Sequence, residues 1–253
     1  MKKINSVTNT EDRGTKVRLA GAKKPKKKMT KVDYILIIVA ILLLLAAAGF
    51  FLYPIYNSKQ REAITDDFLE KIDEGTATII VDRDDYAIDG EEYETFQTYD
   101  SGETATPTVT LPEDVVLTAL GVFQIDSVDV YLPLLDDAGT VPLRYGAGML
   151  SGTAMPGQEG NFVVLGHRMK TYGLLFNRLG EVVLNDEIVI TMLDGTVYTY
   201  VVDNIIPALD PAELSDYIGI DSGTGKQITL VTCTPTGVGS HRIIIIGHLR
   251  EEE

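Results

Sequence analysis

The run Gln227-Ile-Thr-Leu-Val-Thr-Cys233, stopped at once by Thr234-Pro235, decides the fold. Proline has no amide to give to a central ladder, so the run reads as a buried strand with Cys233 at its carboxyl end. Arg242-Ile-Ile-Ile-Ile-Gly247 reads as the next strand. The loop Thr234–His241 then joins two antiparallel neighbours and brings Arg242 near Cys233. A guanidinium beside a thiol favours the thiolate and can later hydrogen-bond an oxyanion. Upstream, Asn161-Phe-Val-Val-Leu-Gly166 is a third strand, and His167 follows it as an acid–base group at another strand end. Each residue alone has a blander explanation: a buried cysteine, a solvated edge arginine, a histidine in a turn. Their joint occurrence points to a cysteine transferase site.

Outward from these runs the texture is the same. Short apolar, β-branched segments separated by turn residues cover Val115–Ile125, Val128–Leu135, Val141–Arg144, Asn161–Leu165, Glu187–Leu193, Thr196–Val202, Gln227–Cys233 and Arg242–Gly247. Such spacing predicts an all-β barrel or sandwich. One helical insert is predicted at Thr171–Leu179, where Leu174, Leu175, Phe176 and Leu179 form an apolar stripe. No internal repeat is apparent, and no glycine-rich phosphate loop opens a helix.

The whole chain has 253 residues, 45% of them apolar and 23% charged, with a net charge of −15. Wholesale disorder and collagen-like repeats are excluded by that balance. A single cysteine excludes a disulfide framework and any multi-cysteine zinc or iron–sulfur site within one chain. Charge is uneven: residues 1–32 hold eleven basic and two acidic residues, against eleven and thirty-five in 33–253. An acidic bulk repels phosphate, so no nucleic-acid partner is expected.

Between the two regions lies Tyr34-Ile-Leu-Ile-Ile-Val-Ala-Ile-Leu-Leu-Leu-Leu-Ala-Ala-Ala-Gly-Phe-Phe-Leu-Tyr53, without a charge. At about 1.5 Å per residue it spans about 30 Å of hydrocarbon, so residues 33–54 are predicted to be a transmembrane helix. Tyr34 and Tyr53 suit the two interfaces, and Lys23, Lys24, Lys26, Lys27, Lys28 and Lys31 place the tail, residues 1–32, in the cytoplasm and export the rest. A secretory signal peptide is the competing reading; its apolar core is normally about 7–15 residues, and here apolar residues continue past Ala46-Ala47-Ala48. The tail either binds anionic lipid or acts only as a topology signal.

Residues 55–72 predict a juxtamembrane helix, with Ala63, Ile64, Phe68, Leu69 and Ile72 at helical spacing. Residues 73–110 carry eleven acids and one base and read as a solvated linker or stalk. Their scattered aromatics Tyr86, Tyr93, Phe96 and Tyr99 leave open a segment that packs over the domain beginning at residue 111.

Thr229-Leu-Val-Thr-Cys233 resembles the TLxTC signature of the sortases, membrane-anchored cysteine transpeptidases of Gram-positive surfaces. Leu165-Gly-His-Arg168 is similar to their histidine segment, and Thr234-Pro235 with His241-Arg242 resembles the arginine segment of classes C and D. The resemblance covers residues 111 to about 249, in the order His, Cys, Arg. It implies an eight-stranded sortase-type β-barrel with short helices over 111–253, behind the single transmembrane helix, with 55–110 as juxtamembrane helix and acidic linker. It implies Cys233 as the nucleophile on the Thr–Gly bond of an LPxTG-like sorting signal, His167 as general acid and Arg242 as oxyanion and substrate ligand. Thr232 acquires a supporting role, although strand alternation puts it on the face opposite Cys233. The acyl group would pass to a primary amine of a peptidoglycan precursor or a pilin lysine, with no cofactor and no metal. With unperturbed pKa values, thiolate and imidazolium coexist in only about 1% of molecules at about pH 7.5, which predicts slow turnover and a bell-shaped pH profile.

Class C enzymes typically carry an Asp-Pro-aromatic lid ahead of the barrel. Here the only Asp-Pro is Asp210-Pro211, followed by Ala212, and Thr236 stands where class C has an aromatic. These departures favour a class D-like or housekeeping anchoring enzyme over a pilin polymerase. An L,D-transpeptidase is disfavoured because its Ser-His-Gly-Cys segment is absent, and a papain-like protease because its cysteine precedes its histidine. His241 and His248 flank a strand at opposite ends without acidic ligands at motif spacing, which argues against metal hydrolysis. A non-enzymatic, membrane-anchored envelope-binding ectodomain is the reading from another class.

Overall fold

A computed structural model describes residues 30–82 and 114–251. Nearly all of the basic tail and most of the acidic linker, residues 83–113, lie outside the described residues.

Helix α1 spans Lys31–Asp73. Thr30 and Asp33 cap its start reciprocally: the Asp33 amide donates to Thr30 Oγ1 at 3.3 Å and the Thr30 amide to Asp33 Oδ2 at 2.7 Å. Its segment Lys31–Leu52, with mean hydropathy 3.2, is long and apolar enough to cross a membrane. The later turns behave as an amphipathic helix. Phe68 and Ile72 are buried, Ile64 and Leu69 partly so, and they pack with Ile79, Val81, Leu117, Leu135 and Tyr145. Ala63, on the same predicted stripe, is exposed.

The strands are β1 Thr78–Asp82, β2 Asp114–Ile125, β3 Val130–Leu135, β4 Ala147–Met149, β5 Gly160–Leu165, β6 Glu187–Met192, β7 Val197–Leu209, β8 Lys226–Thr234 and β9 His241–Leu249. Hydrogen bonding runs β2-β3-β4-β5-β8-β9-β7-β6 and returns to β2, closing an eight-stranded barrel, with β1 added to the outer half of β2. Closure needs a close approach at Gly121, where a Cβ would sit 2.0 Å from the Thr191 carbonyl oxygen. Two neighbour pairs are parallel, β3–β4 and β5–β8; the rest are antiparallel.

Alternation divides the strands that carry the site. Phe162, Val164, Ile228, Leu230, Ile243 and Ile245 fill the interior with Phe123, Ile190 and Tyr200. Val163, Leu165, Val231 and Ile244 face the other way, where Leu143 and Leu209 join them in a second apolar cluster. That outer face is covered in part by the connection from β7 to β8, which is built from short turns: 3₁₀ turns at Pro211–Glu213 and Ile220–Ser222 around α2, Ser215–Ile218. Leu214, Tyr217 and Ile218 of this connection pack against the outer cluster.

The barrel expectation stands, with four local corrections. Val141–Arg144 is not a strand: Pro142 opens a 3₁₀ turn, Pro142–Arg144, as its fixed φ favours at a first helical position, and β4 takes the vacant place in the barrel. Thr171–Leu179 is not a helix. Leu175 has φ +49 and pairs as an isolated bridge with Arg168, and helical turns begin only at Asn177. The stripe is nevertheless buried at Leu175, Phe176 and Leu179. Residues 78–82, within the stretch read as linker, form β1, because Ile79 and Val81 alternate inward against Phe68 and Leu117. Strand β7 runs on to Leu209 by way of register shifts between Val202 and Asn204 and between Ile206 and Leu209.

Candidate active site

Three neighbouring strands bring the sequence-derived trio to one edge of the barrel. Cys233 is the penultimate residue of β8, and the antiparallel register pairs it directly with Arg242 on β9. On the other side β5 runs parallel to β8, with Leu165 opposite Val231, and the Gly166 amide extends the ladder by donating to the Val231 carbonyl at 3.2 Å. Two residues beyond Leu165, His167 therefore stands level with Cys233. By alternation Cys233 and Arg242 belong to the outer face, that of Val231 and Ile244, rather than to the interior, and His167 follows two residues beyond Leu165 of the same cluster. Cys233 is 6% exposed and His167 7%, so chemistry between them would proceed largely out of water.

Thr232 lies on the opposite face, as alternation requires, and is fully buried. Its hydroxyl donates to the Gly166 carbonyl at 2.7 Å, tying the residue before His167 to the residue before Cys233. The bond gives Thr232 a concrete positional effect without contact with the thiol. Gly166 must be glycine for packing reasons: a Cβ there would lie 2.4 Å from the Phe176 ring. The Phe176 amide in turn donates to the His167 carbonyl at 3.0 Å, folding the segment after β5 back over the barrel end.

Arg242 is half-buried, and its Nη1 donates to the carbonyls of Gly239 at 2.6 Å and His241 at 3.0 Å. The β8–β9 loop thus holds one side of the guanidinium. Sequence reasoning missed Arg168. Its Nη1 donates to Thr234 Oγ1 at 2.8 Å and its Nε to the Asn177 carbonyl at 3.2 Å, joining the histidine segment to the residue that follows Cys233. Adjacency to His167 was the only signal in the sequence, and it does not disclose a partner 66 residues away. Of the other two histidines, His241 opens β9 opposite Thr234, exposed and with Nδ1 2.9 Å from Ser240 Oγ, and His248 sits at the far end of β9 with Asp203 and Thr224.

Residues 123–250 match the family model of the sortase domain. The chain is 36% identical over 106 residues to Sortase SrtE1 of Streptomyces coelicolor, covering 40% of this chain and 30% of that protein. It is 30% identical over 134 residues to Sortase A of Listeria monocytogenes, covering 53% of this chain and 58% of that one. It therefore spans between about a third and three-fifths of the length of these curated relatives. Among solved structures, Sortase A from Corynebacterium diphtheriae is 32% identical over 54% of this chain and 63% of its own, with a TM-score of 0.49. Because the sortase domain model takes in half of the sequence, including His167, Cys233 and Arg242, the chain belongs to the sortase family.

Proposed function

We propose that this chain is a membrane-anchored cysteine transpeptidase that cleaves an LPxTG-like sorting signal between Thr and Gly and passes the acyl group to a primary amine of the cell wall. What supports this reading is the register: Cys233 opposite Arg242, and His167 two residues beyond Leu165, whose partner Val231 lies two residues before Cys233. The Cys233 thiolate attacks the Thr carbonyl carbon, forming a C–S bond, while Arg242 hydrogen-bonds the oxyanion. His167, as imidazolium, gives its proton to the Gly nitrogen as the C–N bond breaks. An incoming amine then attacks the thioacyl carbon, loses a proton to His167, and the thiolate leaves. Thr232 acts through Gly166, holding the backbone that carries His167.

An extended peptide would lie along the rim of the outer face at Cys233 and Arg242, next to the β7–β8 connection that covers Val231 and Ile244. The lipid bilayer is a partner through residues 34–53, with the amino terminus cytoplasmic and the barrel outside, as the lysine cluster before the apolar helix requires. The acceptor is a peptidoglycan-precursor amine; a pilin lysine is the alternative that the acceptor panel separates.

The test is incubation of the full chain in detergent with LPxTG-type peptides and either peptidoglycan-like amines or pilin-lysine peptides, followed by mass spectrometry. A Cys233 thioacyl adduct and an amine-linked product are expected; neither appearing with any peptide would leave the envelope-binding ectodomain. Arg242→Ala is expected to lower transfer by about 10²-fold or more with the fold retained, as for loss of an oxyanion donor, and unaltered turnover would remove Arg242 from the reaction.

A further inference from the structure

Strand β5 begins with a residue that the trio does not use. Asn161 is fully buried, and both ends of its amide are occupied. Nδ2 donates to the Tyr217 carbonyl at 2.8 Å and to Ser222 Oγ at 2.8 Å, with the Gly219 carbonyl at 3.4 Å sharing a proton. Oδ1 accepts from Thr229 Oγ1 at 2.8 Å and from Gln227 Nε2 at 3.3 Å. Gln227 also donates to Thr229 Oγ1 at 3.0 Å and accepts from the Thr224 amide at 3.3 Å. One side chain on β5 therefore links β8 to three points along the β7–β8 connection.

The connection needs such a link. Among the described residues no strand lies between Leu209 and Lys226, so no ladder holds this segment to the barrel. Just before β8 the Gly160 amide also donates to the Gly225 carbonyl at 2.8 Å and His248 Nε2 lies 3.3 Å from Thr224 Oγ1, but further back the attachment is apolar and non-directional: Leu214, Tyr217 and Ile218 against the cluster of Leu165, Val231 and Ile244. Each of those three core residues lies two positions from His167, Cys233 or Arg242 on the same face. Apolar contact keeps the segment on the face, and hydrogen bonds with fixed directions decide where along the face it rests.

We propose that Asn161 is a positioning residue for peptide binding: it sets the β7–β8 connection as one wall of the surface on which the sorting peptide lies. This rests on the transpeptidase reading and adds to it a residue at the start of β5, remote from the thiol along the strand, that governs peptide affinity rather than bond cleavage. A purely structural asparagine would instead stabilise β5, β8 and β9 alike.

Asn161→Asp separates the two. It keeps the size and the acceptor oxygen for Thr229 and Gln227, but it removes the N–H groups that reach Tyr217, Gly219 and Ser222. In the full chain in detergent, KM for an LPxTG-type peptide is expected to rise about tenfold with kcat changed less than about threefold, as befits loss of buried hydrogen bonds outside the reacting centre. Amide hydrogen exchange in residues 212–222 is expected to quicken about tenfold while β8 and β9 keep their protection, and alkylation of Cys233 by iodoacetamide is expected to stay within about twofold. Unchanged KM and unchanged exchange would overturn the proposal, and so would a loss of protection spread evenly over the barrel. Should Asn161→Asp fail to fold, Ser222→Ala removes one partner from the connection itself and is expected to raise KM about two- to threefold; no rise would again overturn it. A parent chain that processes no peptide defeats the transpeptidase reading, while the exchange measurement still decides whether Asn161 fixes the wall.

Discussion

The two ends of the β8–β9 pair each place a histidine beside a group that could in principle be a nucleophile, and they are built differently. At one end Cys233 near the close of β8 and His167 two residues past the end of its parallel neighbour β5 are both buried. At the other, His248 takes Asp203 on Nδ1 and Thr224 Oγ1 on Nε2 at 3.3 Å, an acid–imidazole–hydroxyl order like that of a hydrolase triad. The His248 and Asp203 side chains, however, are 37% and 47% exposed, so water competes for every bond in that chain. Asp203 reaches His248 from the register shift in β7, and the result is a clasp between β7, β9 and the loop before β8. Residue types alone do not separate a reactive end from a fastened one; burial, strand face and the presence of a thiol do.

The sharpest way to break this contrast is to remove a group from each end. Cys233→Ala is expected to abolish thioacyl formation, a fall of about 10³-fold or more in transfer, while His248→Ala leaves transfer within about threefold of the parent. Equal losses in a peptide-transfer assay would place His248 in the reaction. Next in size is a change between the two ends. Leu230 is fully buried in the interior, and Leu230→Ala is expected to cost about 2–5 kcal/mol in denaturant unfolding, against less than about 0.5 kcal/mol for Val116→Ala on an exposed face. A small cost at Leu230 would mean that the two ends do not share one core.

The smallest effect belongs to the His248 end. Tyr200, opposite Leu249, is 1% exposed and accepts a hydrogen bond from the Gly157 amide at 2.7 Å. Burial pushes its phenol up to about 12. The unfolded chain then ionises this group first, so its contribution to stability is complete below about pH 10 and is lost as pH rises toward 12. Tyr200→Phe is expected to flatten that alkaline decline by at most about 2–3 kcal/mol in unfolding curves recorded across the interval. An identical decline in both proteins would show that other groups cause it.

Much of this arrangement could be read from the chain. Strands β8 and β9 announce themselves as apolar runs bounded by Thr234-Pro235, and the short loop between them leaves little choice of register, so Cys233 and Arg242 meet as expected. His167 was readable as a strand-end residue for the same reason. Strand β4 was not legible because Ala147-Gly-Met149 has neither length nor β-branched residues, whereas the more strand-like Val141–Arg144 is turned by Pro142. At Leu175 a positive φ overrode a helix-like stripe that nonetheless buries the same side chains. Asn161 and Arg168 were invisible as links between strands because the partners they reach on and before β8 lie 56–68 and 66 residues away, and polar residues near strand ends carry no periodic signal.

The parallel pairing of β5 with β8 has a consequence for how the chain folds. The Thr232–Gly166 bond closes a separation of 66 residues, and parallel neighbours cannot be zipped from a hairpin, so this junction belongs to the slow, non-local part of assembly. The β8–β9 hairpin, by contrast, can form locally. A half-folded molecule can thus pair the positions of Cys233 and Arg242 while His167 is still apart, and the trio is complete only when the long excursion through β6 and β7 has been gathered in.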